Sequence, residues 1–472
     1  MAARPKSSRR TKSGGKTKAA RKGTRRRTSA AAEEAAIGRA QTFRAKVRMY
    51  RHGLGDCFLV TLPRVNGAAT ERDFFILIDC GVILGTADAP SKMTAVVEDI
   101  VVRTGGAVDL LLATHEHWDH VSGFIQAEAS FAKLNVGEVW LPWTEDPSDT
   151  LAQTLRGERE AALSALRLSA NRMRLSGDEL GADEVGSLLE FFGASAGSST
   201  KEALEKVRKL AGEPTYCRPD MAPRAPSDLD GVRLYVLGPP RDEKLIRKIH
   251  PSTKNPETYG LALDVLLDQI GPDLDDAADR PFSTLFAIPT TVAKEIDFFK
   301  ACHWEGEQWR RIDTAGFDAA AELALQLDSR TNNTSLVLAI ELADKDVLLF
   351  VADAQVGNWQ SWQSLSWPGD DAPVTGPDLL RRTILYKVGH HGSHNATLRQ
   401  HGLEMMERLG AAMVPVDHAM ALKKRWHKMP LPELVDALMQ KTGGQVFRSD
   451  QPAPAAGRYP CVANDLFFEL VL

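Results

Sequence analysis

The sequence has few of the features that mark membrane proteins or disulfide-rich proteins. No run of about 18 apolar residues occurs, and the longest apolar stretches, VLLFVADA and DLLLATH, have the length of buried strands. We therefore expect no membrane span. Cysteine is also sparse, and the absence of any CxxC pair argues against a disulfide framework or a structural zinc knot. The five cysteines are Cys57, Cys80, Cys217, Cys302 and Cys461.

Acidic residues are missing from the start of the chain. Residues 1–32 contain 12 Lys or Arg, no Asp or Glu, and no aromatic or branched aliphatic side chain. Such a segment cannot bury enough apolar surface to offset the entropy of ordering, so we expect a disordered basic tail over residues 1–41. It serves as a solvated tail, as an arm that attracts nucleic acid, or as a targeting peptide. Because no apolar h-region follows it, a secretory signal is not expected and the predicted location is the cytoplasm.

The rest of the chain has the composition of an ordinary globular protein. Hydrophobic residues make up 43% and charged residues 25% of the 472 residues. Outside the basic segment the formal net charge is -16. We expect one folded domain over residues 42–472, with a helical insertion at about 146–229 and a loop and helix insertion at about 241–330.

Short apolar runs that end in polar residues recur along this domain. Examples are ERDFFILIDCG, AVDLLLATHEHWDH, DVLLFVADA and RTILYKVGHHGSH. Buried strands present chemistry in this way, through the loops at their carboxyl ends. The pattern predicts an α/β fold in which a two-layer β core is covered by helices on its outer faces.

The strongest local signal is HEHWDH, which follows one of these strands. His115 and His117 alternate and can aim two imidazoles at one point, while Asp119 and His120 can turn toward a second point a few ångströms away. This pattern predicts a dinuclear metal site. Asp56, in the Gly-rich corner GLGDC, is expected at the rim of that site.

Several motifs in the same order resemble the metallo-β-lactamase superfamily. Its HxHxDH pattern matches HEHWDH residue for residue, and GLGDCFLV, NNTSLVL, ADA, KVGHHGSH and WHKMP are most similar to the soluble hydrolase domain of ComEC-type DNA-uptake proteins. The resemblance covers most of residues 46–450 and implies an αββα sandwich and metal-dependent hydrolysis. It also implies that Asp79 ends the upstream strand, that Asp353 bridges two metals, and that HHGS supplies the last ligand.

The chain departs from the superfamily where the third histidine of the first metal site is expected. Asn332 and Asn333 stand there and either ligate a metal, hold a metal-bound water or cap a loop. In HHGSH we prefer His390 as the ligand, because it ends the strand. His391 would point to the opposite face if the strand ran on, and is expected, like Asp79, to ligate or to orient a ligand.

The donor set predicts two divalent cations, with zinc favoured over manganese or iron. Such cations lower the pKa of a bridging water to roughly 7 and stabilise the attacking and leaving oxygens at phosphorus. Asp119 is accordingly assigned a catalytic role, and His427 is expected either to protonate the leaving group or to begin a helix. Substrate contacts, with ordinary surface residues as the alternative, are assigned to Lys423, Lys424, Arg425 and His394.

These inferences favour a metal-dependent phosphodiesterase or nuclease that uses a metal-activated hydroxide on nucleic acid or another phosphoester. Because one fold hosts many chemistries, a hydrolase of a small ester, lactone or phosphoester is the main alternative, and the acidic body favours it. A non-catalytic nucleic-acid-binding protein with a structural metal is the third hypothesis.

Overall fold

In this computed structural model Ala45–Leu472 form one compact unit. The predicted basic tail over residues 1–41 lies outside the described residues, and so do Arg425 and half of the predicted insertion at about 241–330. The structure describes residues 43–65, 72–176, 179–192, 199–252, 257–258, 290–293, 295–305, 315–370, 372–424 and 426–472.

Sixteen strands occur in the described residues, most of them short, and six of them are buried at every position. The sixteen strands are β1 (Lys46–Tyr50), β2 (Phe58–Leu62), β3 (Phe74–Ile78), β4 (Ala107–Leu112), β5 (Asn135–Pro142), β6 (Thr215–Cys217), β7 (Arg233–Gly238), β8 (Val337–Glu341), β9 (Val347–Phe350), β10 (Ser366–Trp367), β11 (Val374–Thr375), β12 (Thr383–Lys387), β13 (Ala411–Val414), β14 (Val446–Arg448), β15 (Cys461–Ala463) and β16 (Phe467–Val471).

Helices fill most of the intervals between the strands. They are α1 (Ala89–Thr104), α2 (Trp118–Val121), α3 (Gly123–Gln126), α4 (Glu128–Phe131), α5 (Thr150–Ser176), α6 (Glu179–Leu189), α7 (Thr200–Arg208), α8 (Glu243–Ile246), α9 (Thr290–Ala293), α10 (Asp297–Phe299), α11 (Ala315–Asn332), α12 (Val356–Ser361), α13 (Gly376–Arg381), α14 (His418–Lys423) and α15 (Pro432–Thr442). Short 3-10 turns add Trp143–Glu145 and Glu190–Phe192.

Two large mixed sheets dominate the fold. One has the order β15-β16-β1-β2-β3-β4-β5-β6, and the other has the order β14-β13-β12-β9-β8-β7. Each sheet is part antiparallel and part parallel: β3 runs parallel to β4, and β9 runs parallel to β12. The predicted α/β class is therefore confirmed. The strands β2 and β3 are buried at every position, which explains why their sequences are continuous apolar runs.

Three hydrophobic clusters show how the layers pack. One combines inward side chains of both sheets, among them Met49, Phe58 and Ile76 with Leu338, Phe350 and Met413. On the other face of the eight-stranded sheet a second cluster joins α1 and α7, and on the other face of the six-stranded sheet a third cluster joins α5, α11 and α15. Burial of both faces of each sheet accounts for the scarcity of alternating strand patterns in the sequence.

The predicted helical insertion at about 146–229 contains α5, α6 and α7, and the side chain of Ser199 caps α7 by accepting a hydrogen bond from the Glu202 backbone N–H. It is not wholly helical, because β6 also lies within it and pairs with β5. The run EMMERLG reads as a helix but forms only a 3-10 turn, Leu403–Met405, so that interpretation is wrong. Among the described helices, none combines the length and the apolarity that crossing a bilayer requires.

We predict that the contact between the sheets carries much of the stability. Phe350 is 3% exposed and its ring meets the ring of Phe58 edge-on at 5.8 Å. Phe350→Ala should lower the free energy of unfolding by about 3–5 kcal/mol, measured by urea denaturation. Val102 is 80% exposed, and Val102→Ala should change the free energy of unfolding by no more than about 0.5 kcal/mol. Equal effects of the two substitutions would contradict the described packing.

Candidate metal centre

The polar side chains singled out in the sequence meet where strands of both sheets end. Asp79 follows β3, the HEHWDH segment follows β4, Asp353 follows β9, and the HHGSH segment follows β12. Within each sheet the two strands are parallel neighbours, so their carboxyl ends lie at the same edge. The topology therefore brings together residues that are far apart in sequence, such as Asp119 and His391, which are 272 positions apart.

The HEHWDH segment separates its side chains onto two sides. The Nε2 atom of His115 and the Nδ1 atom of His117 approach each other at 3.1 Å. Glu116 points the other way, where it receives a hydrogen bond from the Thr200 hydroxyl at 2.9 Å and an ion pair from Arg159. The predicted alternation at 115 and 117 is thus present.

Four further donors form one compact group, Asp119, His120, Asp353 and His391, whose ligand atoms all lie within 4.8 Å of one another. The Asp119 carboxylate is 2.9 Å from Nε2 of His391, and the Asp353 carboxylate is 3.2 Å from Nε2 of His120. Donor atoms of one tetrahedral zinc ion stand about 3.3 Å apart, given metal–nitrogen bonds of about 2.0–2.1 Å. The group can therefore hold a metal ion with little rearrangement.

His390 and His391 do not point to opposite faces, because the strand does not run on. The strand β12 ends at Lys387, and both histidines adopt left-handed backbone conformations with φ of 40° and 52°. In consequence Nε2 of His390 lies 3.9 Å from the Asp353 carboxylate, and Nε2 of His391 lies 3.8 Å from the same oxygen. His391, which the sequence did not favour, belongs to the four-donor group, whereas His390 lies beside it.

Four of the imidazoles are also held from outside the cluster, and this orients the nitrogen that faces inward. Asp79 is such an outer partner: it lies 2.8 Å from Nδ1 of His120 and accepts the Thr114 backbone N–H and hydroxyl hydrogen bonds. The other outer partners are the Thr114 hydroxyl for His115, the Ser393 hydroxyl for His390 and the Pro415 carbonyl for His391. The Asp328 carboxylate lies 3.7 Å from Nε2 of His117, beyond hydrogen-bond distance.

The electrostatics of the cluster favour a cation. Burial lowers the pKa of His117 to about 3 and that of His390 to about 4, so both imidazoles are neutral ligands at neutral pH. Burial alone would also lower the pKa of His120 and His391, but the Asp353 carboxylate raises both above the ordinary value. Positive charge is therefore favoured between these residues, and a divalent metal ion would supply it in place of protons.

Lys387 is a site residue that the sequence analysis missed. It is 2% exposed, and its ammonium lies 2.5 Å from Asp56 and 3.4 Å from Asp353. Asp56 is equally buried, and its carboxylate lies 3.8 Å from Nδ1 of His120, so it adjoins the cluster. The available signal was a lysine at the end of the apolar strand TILYK, where a charge is retained only if it is paired.

Helix α11 and the 3-10 turn after α6 contribute Asp328 and Phe192, which sequence motifs did not reveal, and α11 also places Asn332, a predicted ligand, beside the cluster. Asp328 and Asn332 are four positions apart on α11 and hydrogen bond to each other at 3.1 Å, and the Asn332 amide lies 3.5 Å from Nε2 of His390. Phe192 packs edge-on against the His117 ring at 5.0 Å. The i, i+4 spacing of Asp328 and Asn332 was the one local signal for this polar helix face.

Unsatisfied polar atoms concentrate at this cluster. In the described part of the chain, Oδ1 of Asp119, Nε2 of His120, Oδ1 of Asp328 and Oδ1 of Asn332 are buried without a hydrogen-bond partner. Burial, reinforced by Asp119 and Asp353, also raises the pKa of Asp328 well above its ordinary value. Such atoms are costly in a protein interior unless something coordinates them, and carboxylate, imidazole and amide donors fit a divalent metal ion.

The remaining predicted site residues lie elsewhere. The Asn333 amide donates to the carbonyls of Leu245 and Ile246, so it fastens the backbone rather than facing the cluster. His427 and Lys423 are exposed, His394 is partly buried, and Lys424 pairs with Glu190. Among the described residues, no hydrogen bond or ion pair joins Lys423, Lys424 or His427 to the cluster.

We predict that the four-donor group holds metal in the purified protein. His391→Ala should release at least one equivalent of metal on dialysis, because it removes a donor 2.9 Å from Asp119. The metal content is measured by inductively coupled plasma mass spectrometry. His401 is exposed, and His401→Ala is the matched control that should keep the wild-type content. Equal metal content in the two variants would contradict the assignment.

Asp79 should set the metal affinity without contacting the metal. Asp79→Asn keeps a residue that tolerates the left-handed backbone at φ 55° but weakens the acceptor for His120, so the affinity should fall about 10–100-fold. A competition titration with a chelating dye measures this. Asp88 has φ 53° and is exposed, so Asp88→Asn should leave the affinity unchanged. An unchanged affinity in Asp79→Asn would rule out the orienting role.

Comparison with known proteins identified no relative of this chain. No protein-family model matches the chain, and neither a curated protein nor a solved structure matches it. We therefore infer the function of the chain from the burial, spacing and orientation of the clustered side chains.

Proposed function

We propose that this chain is a metal-dependent hydrolase of the metallo-β-lactamase type that cleaves phosphodiesters. The observation that carries the proposal is the convergence of inward-facing imidazoles and buried carboxylates at the carboxyl ends of strands from both sheets. The core shared by the two sheets, with helices on both outer faces, supports an αββα sandwich as the scaffold. The order of motifs along the chain supports the same family.

We assign the donors to two cation subsites that share Asp353. Three imidazoles belong to one subsite, and one carboxylate with two imidazoles belongs to the other. The first comprises His115, His117 and His390, and the second comprises Asp119, His120 and His391. Zinc is the favoured ion, with manganese and iron as alternatives, because imidazole and carboxylate donors accept all three.

The chain's own residues prepare this site for hydrolysis. Cations bound there would supply Lewis acidity toward a phosphoryl oxygen and a water of lowered pKa. Lys387 pairs with Asp56 and Asp353, which keeps the Asp353 carboxylate ionised and in place. Burial raises the pKa of Asp353, but His120, His391 and Lys387 bring it well below the ordinary value. Phe192 covers the His117 ring and excludes water from that side.

Phosphodiesters fit this arrangement best, because paired cations stabilise both the attacking and the leaving oxygen in displacement at phosphorus. Nucleic acid is the proposed polymer of this class. Hydrolysis of a small ester or lactone is the second candidate, and the acidic charge of -16 outside residues 1–32 favours it. The same assay separates the two candidates.

We expect the purified protein, supplied with Zn²⁺ or Mn²⁺, to cleave end-labelled single-stranded or duplex DNA or RNA. Asp119→Ala should reduce the rate by more than the roughly 10–100-fold that loss of an outer partner costs, because it removes a donor of the cluster. Asp220 has a side chain that is 67% exposed, and Asp220→Ala should leave the rate unchanged. Gel electrophoresis of the labelled strands gives the rate and the strand preference.

Two results would count against the phosphodiesterase. A wild-type protein that binds metal but leaves every nucleic acid intact, while it hydrolyses a lactone or a small ester, favours the second candidate. A protein that binds nucleic acid but hydrolyses no substrate favours the non-catalytic hypothesis.

A further inference from the structure

A cavity with a mostly apolar lining and several arginines at its border lies away from the metal-ligand cluster, between α5 and α11. Its volume is about 60 Å³, enough for roughly four or five water molecules. Arg156 and Arg159 of α5, Arg330 of α11 and Arg247 after α8 border it, together with threonines from two segments. A tetrahedral oxyanion has five heavy atoms and is of this size.

The four arginines differ in how their charge is compensated. Arg159 pairs with Glu116 and Arg247 pairs with Glu158, so these two guanidinium groups are neutralised. Arg156 donates to the backbone carbonyls of Thr144 and Asp146, at 2.5 and 3.0 Å. Within the residues that the structure describes, no carboxylate lies at ion-pair distance from Arg156 or Arg330. Glu158 also borders the cavity, where Arg247 neutralises it, so Arg156 and the exposed Arg330 are the bordering arginines without an ion pair among the described residues.

A buried hydroxyl group in the wall lacks a hydrogen-bond partner. Thr144 is 2% exposed and borders the cavity, and its Oγ1 finds no partner among the described residues. Buried hydroxyl groups are almost always hydrogen bonded, so an isolated one beside a cavity indicates a ligand or a water. The side chains of Leu327 and Ile246 form the apolar part of the wall, and this low-dielectric surface strengthens charge interactions inside.

We propose that this cavity is an oxyanion-binding site that takes a phosphate group, either as inorganic phosphate or as the phosphoryl group of an ester. Arg156 and Arg330 provide the charge, their planar guanidinium groups match phosphate oxygens, and the Thr144 hydroxyl donates the remaining hydrogen bond. The site goes beyond the proposed hydrolase activity, because none of its residues belongs to the metal-ligand cluster.

Phosphate bound here links the two helices that cover the metal-ligand cluster. Arg156 lies on α5, and Arg330 lies on α11 between Asp328 and Asn332, the residues that face the cluster. A bound anion therefore holds α11 against α5 and stabilises the placement of Asp328 and Asn332. The site thereby couples phosphate binding to the geometry of the centre.

Isothermal titration calorimetry with inorganic phosphate at constant ionic strength tests the proposal. Arg156→Gln, Arg330→Gln and Thr144→Val should each weaken binding, the arginine variants by at least about tenfold, as loss of one charge-assisted hydrogen bond predicts. Arg172 is exposed on the same helix α5, and Arg172→Gln should bind like the wild type. Thermal unfolding of the unliganded variants checks that each is folded.

Asp119→Ala separates this site from the metal-ligand cluster, because it should retain phosphate binding here. Titrations with thymidine 5′-monophosphate and with 5′-phosphorylated oligothymidylate distinguish a free phosphate from an esterified one. Absence of binding in the wild type overturns the proposal, and so does binding that survives both arginine substitutions or disappears only in Asp119→Ala. Failure of the hydrolase proposal would be seen in other measurements, as absence of bound metal or absence of substrate cleavage.

Discussion

The burial of ionisable side chains is the constraint on which the rest of the structure depends. Asp119, His120, Asp353 and His391 are at most 1% exposed, and buried carboxylates are tolerated only when charge and hydrogen bonds compensate them. Lys387 provides one buried positive charge, and the imidazoles or a bound cation provide the rest. Both sheets must end at the same place for this compensation to occur, so the fold and the site are inseparable.

Backbone strain is concentrated where the strands deliver these groups. Six non-glycine residues in the described chain have a positive φ, and four of them lie at the site: Asp79, Ala352, His390 and His391. Such conformations cost energy for residues with a Cβ and persist only where surrounding contacts enforce them. Here the sharp turns direct side chains from strand ends of both sheets into one volume, which an extended backbone would not achieve.

The helices outside the sheets complete the site as well as covering it. Phe192 packs on the His117 ring, while Asp328 and Asn332 bring polar groups from α11. The same helices enclose the arginine-lined cavity, so the segments inserted between the strands carry chemistry of their own. Burial of the candidate metal ligands beneath these helices keeps water away and increases the strength of every charge interaction inside.

The sequence by itself determined the α/β class, several of the strands and the HEHWDH donor cluster, because continuous apolar runs and clustered donors are local signals. It did not determine how His390 and His391 point, since that depends on backbone turns enforced by packing. It also did not reveal that Lys387 pairs with Asp56 or that Asp328 faces His117. Those contacts join residues far apart in the chain, and only the tertiary structure, by burying them together, decided which charges compensate each other.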